Sequence, residues 1–108
     1  MKPGDVVGCA FPGAQLTKTR PAVVLSSASY HLHRSDVVVG LIATRVPQPF
    51  APTDCALRDW RQAGLHTESY FRLFPVTVPQ SEVRVIGRLS VSDWESVRAC
   101  KNAGLETG

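Results

Sequence analysis

Asp36-Val37-Val38-Val39-Gly40-Leu41-Ile42-Ala43-Thr44 is the stretch on which the fold turns. Its core, Val37 to Ala43, is the longest apolar run in the 108-residue chain, counting Gly40. Consecutive β-branched residues favour extended backbone, and an apolar run without alternation fits a strand covered on both faces. A membrane-spanning helix needs about 20 such residues, so the run predicts a buried central strand and no span.

The flanking segments read as further short strands. Asp5 to Phe11 is nearly all apolar and lies between the Pro3-Gly4 turn and the stop at Pro12-Gly13. Gly13 to Thr19 is a polar loop, Pro21 to Leu25 (PAVVL) a β-branched strand, and Ser26-Ser27-Ala28-Ser29 its end. Downstream, Pro47, Pro49 and Pro52 make Val46 to Pro52 a loop. Asp54 to Leu57 fits a short strand, and Asp59 to Ala63 one helical turn closed by Gly64. Glu68 to Phe74 alternates, with Ser69, Phe71 and Leu73 on one face and Glu68, Tyr70, Arg72 and Phe74 on the other. Two successive strands are expected next, through Val78 and from Val83 to Leu89, separated by Pro79-Gln80-Ser81.

The last element is a helix. Ser90 with Asp93, or Ser92 with Glu95, supplies a capping-box-like start, and Gly104 an end. Val91, Trp94, Val97 and Cys100 recur every third residue as a core-facing stripe. Short strands followed by one helix predict a mainly β domain, a small curled sheet or barrel, spanning residues 1–108.

Composition bounds the function classes. Hydrophobic residues make up 44% and charged residues 19%, a balance that argues for a folded chain. Cys9, Cys55 and Cys100 show no C-x-x-C spacing, which argues against a disulfide framework or a zinc site. Small buried thiols in a reducing cytosol are expected. Met1-Lys2-Pro3-Gly4-Asp5 opens no apolar segment of secretory length, so a cytoplasmic location without membrane contact is expected. Net charge is +3, and its distribution says more. Between Asp5 and Asp54 the only carboxylate is Asp36, whereas Lys18, Arg20, Arg34 and Arg45 lie in that stretch with His31 and His33. Such polarity concentrates anions over one region; an ordinary solvated surface is the alternative reading.

No glycine-rich phosphate loop, nucleotide fingerprint, H-E-x-x-H or G-x-S-x-G occurs, and no cofactor is implied. His31-Leu32-His33, read as extended, would set both imidazoles on one side, but two ligands are too few for a metal. His66 belongs to no pattern. Lys18-Thr19-Arg20-Pro21 is the most informative tetrapeptide: two cations and a hydroxyl end a loop, and Pro21 fixes the backbone where a buried strand begins. A restrained guanidinium suits bidentate phosphate binding, although a plain surface arginine has the same sequence. Thr44 and Arg45 stand at the rim end of the central strand. Arg72 lies between Tyr70 and Phe74, an interleaving that suits stacking of unpaired bases or packing beneath a loop or at a subunit contact.

These segments together resemble the PemK/MazF family, the toxins of bacterial toxin–antitoxin pairs. Lys2-Pro3-Gly4-Asp5-Val6-Val7 is similar to the family's opening K/R-x-G-D-[VI], and Thr19-Arg20-Pro21-Ala22-Val23-Val24-Leu25 to its R-P-x-[LV]-V strand. Asp36 to Val39 and Ile42-Ala43-Thr44 resemble its strand ending in I-T-S. Asp59-Trp60-Arg61-Gln62-Ala63-Gly64-Leu65 resembles the D-W-x-x-A-G-L of one branch, and Gly87-Arg88-Leu89-Ser90 the closing G-x-L-s. The motifs cover nearly the whole chain in the right order.

The resemblance implies an SH3-like barrel of the CcdB/PemK type with a C-terminal helix, usually a homodimer. It implies metal-independent, sequence-selective cleavage of single-stranded RNA to a 2′,3′-cyclic phosphate and a 5′-hydroxyl, and a cognate antitoxin in the RNA groove. Carried over by position, Arg20 is the family's catalytic arginine, Arg72 a second arginine of some members, and Thr44 the nearest match to the catalytic threonine. Lys18, Thr19, Arg45, Tyr70 and Phe74 are then expected to hold RNA. The chain departs from the pattern twice. Ala43 occupies the usual threonine place, so Thr44 can serve only if the strand has ended or bulged there. Phe74 stands where some members carry an acid. Both departures favour a rival, a catalytically impaired barrel that binds an antitoxin, gyrase or nucleic acid.

Overall fold

Val37, Val39 and Ile42 are buried on a strand inside an antiparallel sheet, as their apolar run requires. The computed structural model describes residues 1–10 and 19–106. Its strands are β1 (Asp5–Ala10), β2 (Thr19–Val24), β3 (Asp36–Ala43), β4 (Asp54–Leu57), β5 (Ser69–Pro79) and β6 (Val83–Arg88). Helix α1 (Ala28–His33) joins β2 to β3, and α2 (Val91–Leu105) follows β6. The order across the sheet is β4-β5-β3-β2-β1-β6, with every neighbouring pair antiparallel. The fold is mainly β with a C-terminal helix: a curled, barrel-like sheet whose outer strands β4 and β6 do not pair.

Period-two alternation sends side chains into two cores. Val6, Val23, Ile42 and Phe71 pack on one face with Leu57, Leu65, Leu89 and, from α2, Val97 and Cys100. Val7, Cys9, Ala22, Val24, Val37, Val39 and Val78 form the second core. The β3 strand contributes to both. Its pairing with β5 shifts at Gly40/Leu41, where Gly40 faces Pro75 and Leu41 faces Arg72. Extra β5 residues are absorbed there, and the strand bends.

Four local expectations need correction. Ser27 is a helix cap whose hydroxyl accepts the Tyr30 amide at 3.1 Å, so a short helix follows the PAVVL strand where only an ending was expected. His31 and His33 therefore sit on α1 rather than on a strand, where residues two apart splay by about 200°. His31 bridges Ser26 Oγ (2.6 Å) and the Met1 carbonyl, while His33 bonds the Ser29 carbonyl, so they do not converge. Ser69–Pro79 is one continuous strand through the irregularity, parted from β6 by the 3-10 turn Gln80–Glu82. Helix α2 runs through Gly104 to Leu105, and Val91 of its expected stripe is 77% exposed.

Candidate functional site

The site is shaped by the segment between β4 and β5. Asp93 on α2 is fully buried, and its carboxylate accepts the Arg58 amide at 3.0 Å and the Asp59 amide at 2.8 Å. Ser90 Oγ accepts the Asp93 amide, so one helix cap also anchors the Asp59-Trp60-Arg61-Gln62-Ala63-Gly64 turn. The turn closes through Ala63 N to Asp59 O at 3.2 Å and Leu65 N to Trp60 O at 3.0 Å. Gly64 has φ +85°, and a Cβ there would meet the Ile86 carbonyl oxygen at 2.7 Å. Only glycine combines that left-handed backbone with so close an approach. Leu65 is buried in the first core, so His66 and Thr67 emerge on the surface immediately after a fixed point. Ser69 Oγ donates to the Thr67 carbonyl at 2.9 Å and stiffens the exit.

This turn walls a cavity of about 320 Å³ against β1, β2, β6 and the end of β3. Thr19, Arg20, Thr44, His66, Thr67 and Ser69 bring polar groups to it, and Pro21, Leu65 and Ile86 supply apolar wall. Arg20 is exposed on β2, and Pro21 behind it is half-buried. Thr44 is the first residue beyond β3; the β3–β5 register carries it opposite Ser69, and both line the same cavity as Arg20. Among the described residues no carboxylate lines this cavity, and the one ion pair is Arg88 to Asp5 at 2.7 Å. The Arg20 guanidinium is thus left without a carboxylate partner among them. A guanidinium, several hydroxyls and an imidazole around an open cavity are groups able to hydrogen-bond anionic oxygens.

The other residues singled out in the sequence separate from this group. Arg72 is exposed on β5 and does not line the cavity; it faces Leu41 in the β3 ladder, and Tyr70 faces Ala43. Of the three residues matched to catalytic positions, Arg20, Thr44 and Arg72, the cavity joins the first two only. Paired residues share a sheet face, so Tyr70 and Arg72 lie on the face of Leu41 and Ala22, and alternation along β2 puts Arg20 on that face too. Tyr70 lines a second hollow of about 330 Å³ with Arg58, Trp60, Glu68 and Ser69. Ser69 belongs to both hollows, which makes them neighbours. Arg61 stacks its guanidinium 4.9 Å from the Trp60 ring centre beside it. Thr19 lines the first cavity, Arg45 is exposed next to Thr44, and Phe74 is 53% exposed at the β5 irregularity. Lys18 lies outside the described residues. His66, Arg58 and Trp60 are the additions; of these only Trp60 stands in a recognisable motif.

The thiols are not poised for chemistry. Burial, reinforced by the adjacent Cys100 thiol, pushes Cys55 up to about 12, and burial also raises Cys9 and Cys100. Raised thiols are poor nucleophiles at neutral pH. Among the described residues no group of three His, Cys, Asp or Glu side chains could hold a metal ion, and no helix is long and apolar enough to cross a membrane.

The same architecture occurs in known proteins. An endoribonuclease in complex with its cognate antitoxin, from a mycobacterial species, superposes with a TM-score of 0.76 at 17% identity, covering 100% of this chain and 99% of that one. The Mycobacterium tuberculosis toxin MazF-mt6 gives 0.70 at 26% identity, over 95% and 96% of the two chains. A MazE–MazF crystal structure from Deinococcus radiodurans gives 0.73 at 18%, over 100% and 97%. No curated protein matches the sequence. The family model for the PemK-like, MazF-like toxin of type II toxin–antitoxin systems matches residues 2–102, and with the fold and the motif order in agreement, the chain belongs to that family.

Proposed function

We propose that this chain is a single-domain, cytoplasmic toxin that cleaves single-stranded RNA as a homodimer and is held in check by a cognate antitoxin. The observation that carries the reading is one cavity, free of carboxylates among the described residues, lined by both Arg20 and Thr44. An endoribonuclease seen with its cognate antitoxin shares the fold and supports it. The RNA supplies its own nucleophile, the 2′-hydroxyl, so the protein has only to move a proton and stabilise the phosphorane. Arg20 neutralises the scissile phosphate, and Thr44 donates a hydrogen bond to a phosphoryl oxygen. Thr19 and Arg45 contact the backbone at the rim, with Lys18 preceding them. Tyr70 and Phe74 offer aromatic surface to bases, and Arg72 contacts a flanking phosphate outside the cavity. Exposed Val85 and Ile86 on the edge strand β6 support self-association.

The test is incubation of purified protein with mixed-sequence RNA in excess EDTA. Cleavage to 2′,3′-cyclic phosphate ends is expected, and Arg20→Ala should slow it by about 10²–10³-fold, as loss of a transition-state donor does. The placing of Arg72 away from the cavity favours a second reading, a non-cleaving binding module. Antitoxin binding without strand scission at high protein concentration would establish that alternative.

A further inference from the structure

We infer that His66 is the general base of the cleavage reaction, an assignment that rests on the nuclease reading above. In-line attack at phosphorus requires the 2′-hydroxyl proton to go to an acceptor as the O2′–P bond forms. The residues lining the cavity leave one candidate. A guanidinium offers donors and no acceptor, which sets Arg20 aside, and the hydroxyls of Thr19, Thr44, Thr67 and Ser69 are too weakly basic. No carboxylate lines the cavity among the described residues, and Phe74, in place of an acid, lies elsewhere. Among the described residues lining the cavity, the imidazole of His66 is the remaining side chain of a type that serves as a proton acceptor.

Its placement suits the task. His66 is exposed, yet it follows directly on Leu65, which is fixed in the core and by its amide to the Trp60 carbonyl. Gly64 is pressed against β6 one residue earlier, and the Ser69–Thr67 hydrogen bond holds the chain one residue later. The backbone on both sides is therefore set before substrate arrives, which is what a positioned proton acceptor needs. The groups facing the cavity from β1, β6 and the end of β3 (Gly8, Ile86 and Thr44) are uncharged, and β2 contributes the cationic Arg20. Glu68, on the same segment, lines the neighbouring hollow with Arg58 and Trp60. In the step, neutral His66 takes the 2′-hydroxyl proton and O2′ bonds to phosphorus. The P–O5′ bond breaks with its electron pair on O5′, which is protonated by solvent.

Single-turnover cleavage of mixed-sequence RNA in EDTA, from pH 5 to 9, tests the assignment with wild type, Arg20→Ala, His66→Ala and His66→Gln. Wild-type rate should rise with pH and level off once the base is deprotonated. Both His66 variants should lose about 10²-fold or more of the rate together with that inflection. They should bind RNA within about threefold of wild type, and free imidazole should restore part of the His66→Ala rate. Wild-type cleavage with His66→Ala matching it in rate and pH profile would overturn this assignment alone. So would a loss in His66→Ala accounted for wholly by weaker RNA binding. Absence of cleavage by wild type would overturn the nuclease reading and this inference with it.

Discussion

At the scale of single residues, position relative to a strand end decides what a side chain can reach. Thr44 reaches the cavity just past the end of β3, beside Ser69, the position the β3–β5 register would bring opposite it. Arg72 is locked into the β3 ladder opposite Leu41, on the sheet face it shares with Ala22 and Arg20, yet it does not line the cavity. The two arginines should therefore differ in kind. Arg72→Ala is expected to weaken RNA binding and to lower the slope of log affinity against log salt by about 0.7, the value for one single-strand phosphate contact. Its cleavage rate at saturating RNA should stay within a few-fold of wild type. A titration series at several salt concentrations, run beside single-turnover cleavage, checks both parts; a rate loss as large as that of Arg20→Ala would place Arg72 in the reaction itself.

At the scale of elements, α2 does more than cover the first core. Its first turn presents Asp93 to the Arg58 and Asp59 amides, so the helix start and the cavity wall are one construction. Hydrogen bonds to a charged group contribute about 1.5–3 kcal/mol each, and leaving two inward amides unpaired adds to the loss. Asp93→Ala is expected to destabilise the fold by about 3–5 kcal/mol in urea or thermal unfolding. Asp93→Asn, which keeps one acceptor oxygen, should fall between that variant and wild type. The capping signal is readable as Ser90 with Asp93, but the reach to Arg58 and Asp59 is not, because those amides lie more than 30 residues away in sequence. Helix α1 escapes a reading of the sequence for a related reason: a six-residue helix with no buried side chain leaves no apolar period to detect.

At the scale of the whole molecule, the contact between Cys55 on β4 and Cys100 on α2 ties the sheet edge to the helix within the first core. Burial raises Cys55 to about 12, whereas an unfolded thiol ionises near 8.5. Below the unfolded value both states hold the proton, and this group makes stability independent of pH. Above it the unfolded chain releases the proton first, so stability falls as pH rises from about 8.5 towards the folded value. Urea midpoints at pH 7, 9 and 10 should decline in the alkaline range, and Cys55→Ala should flatten part of that decline. An equal decline in the variant would assign the effect to other groups.

The amino-acid sequence by itself marked most of the strands, the capped helix, the two-sided burial of β3 and the family, since apolar period, turn residues and caps are local properties of the chain, whereas the joining of β5 into one strand came from its pairing. It also marked Arg20, because the following proline restrains its backbone. Tertiary structure alone decided which polar groups meet. Arg20, Thr44 and His66 lie on three separate segments, and their shared cavity depends on Gly64 packing against Ile86 and on the register that brings the end of β3 beside Ser69. Such distances are set by strand register and packing across the sheet, to which no local pattern around His66 corresponds.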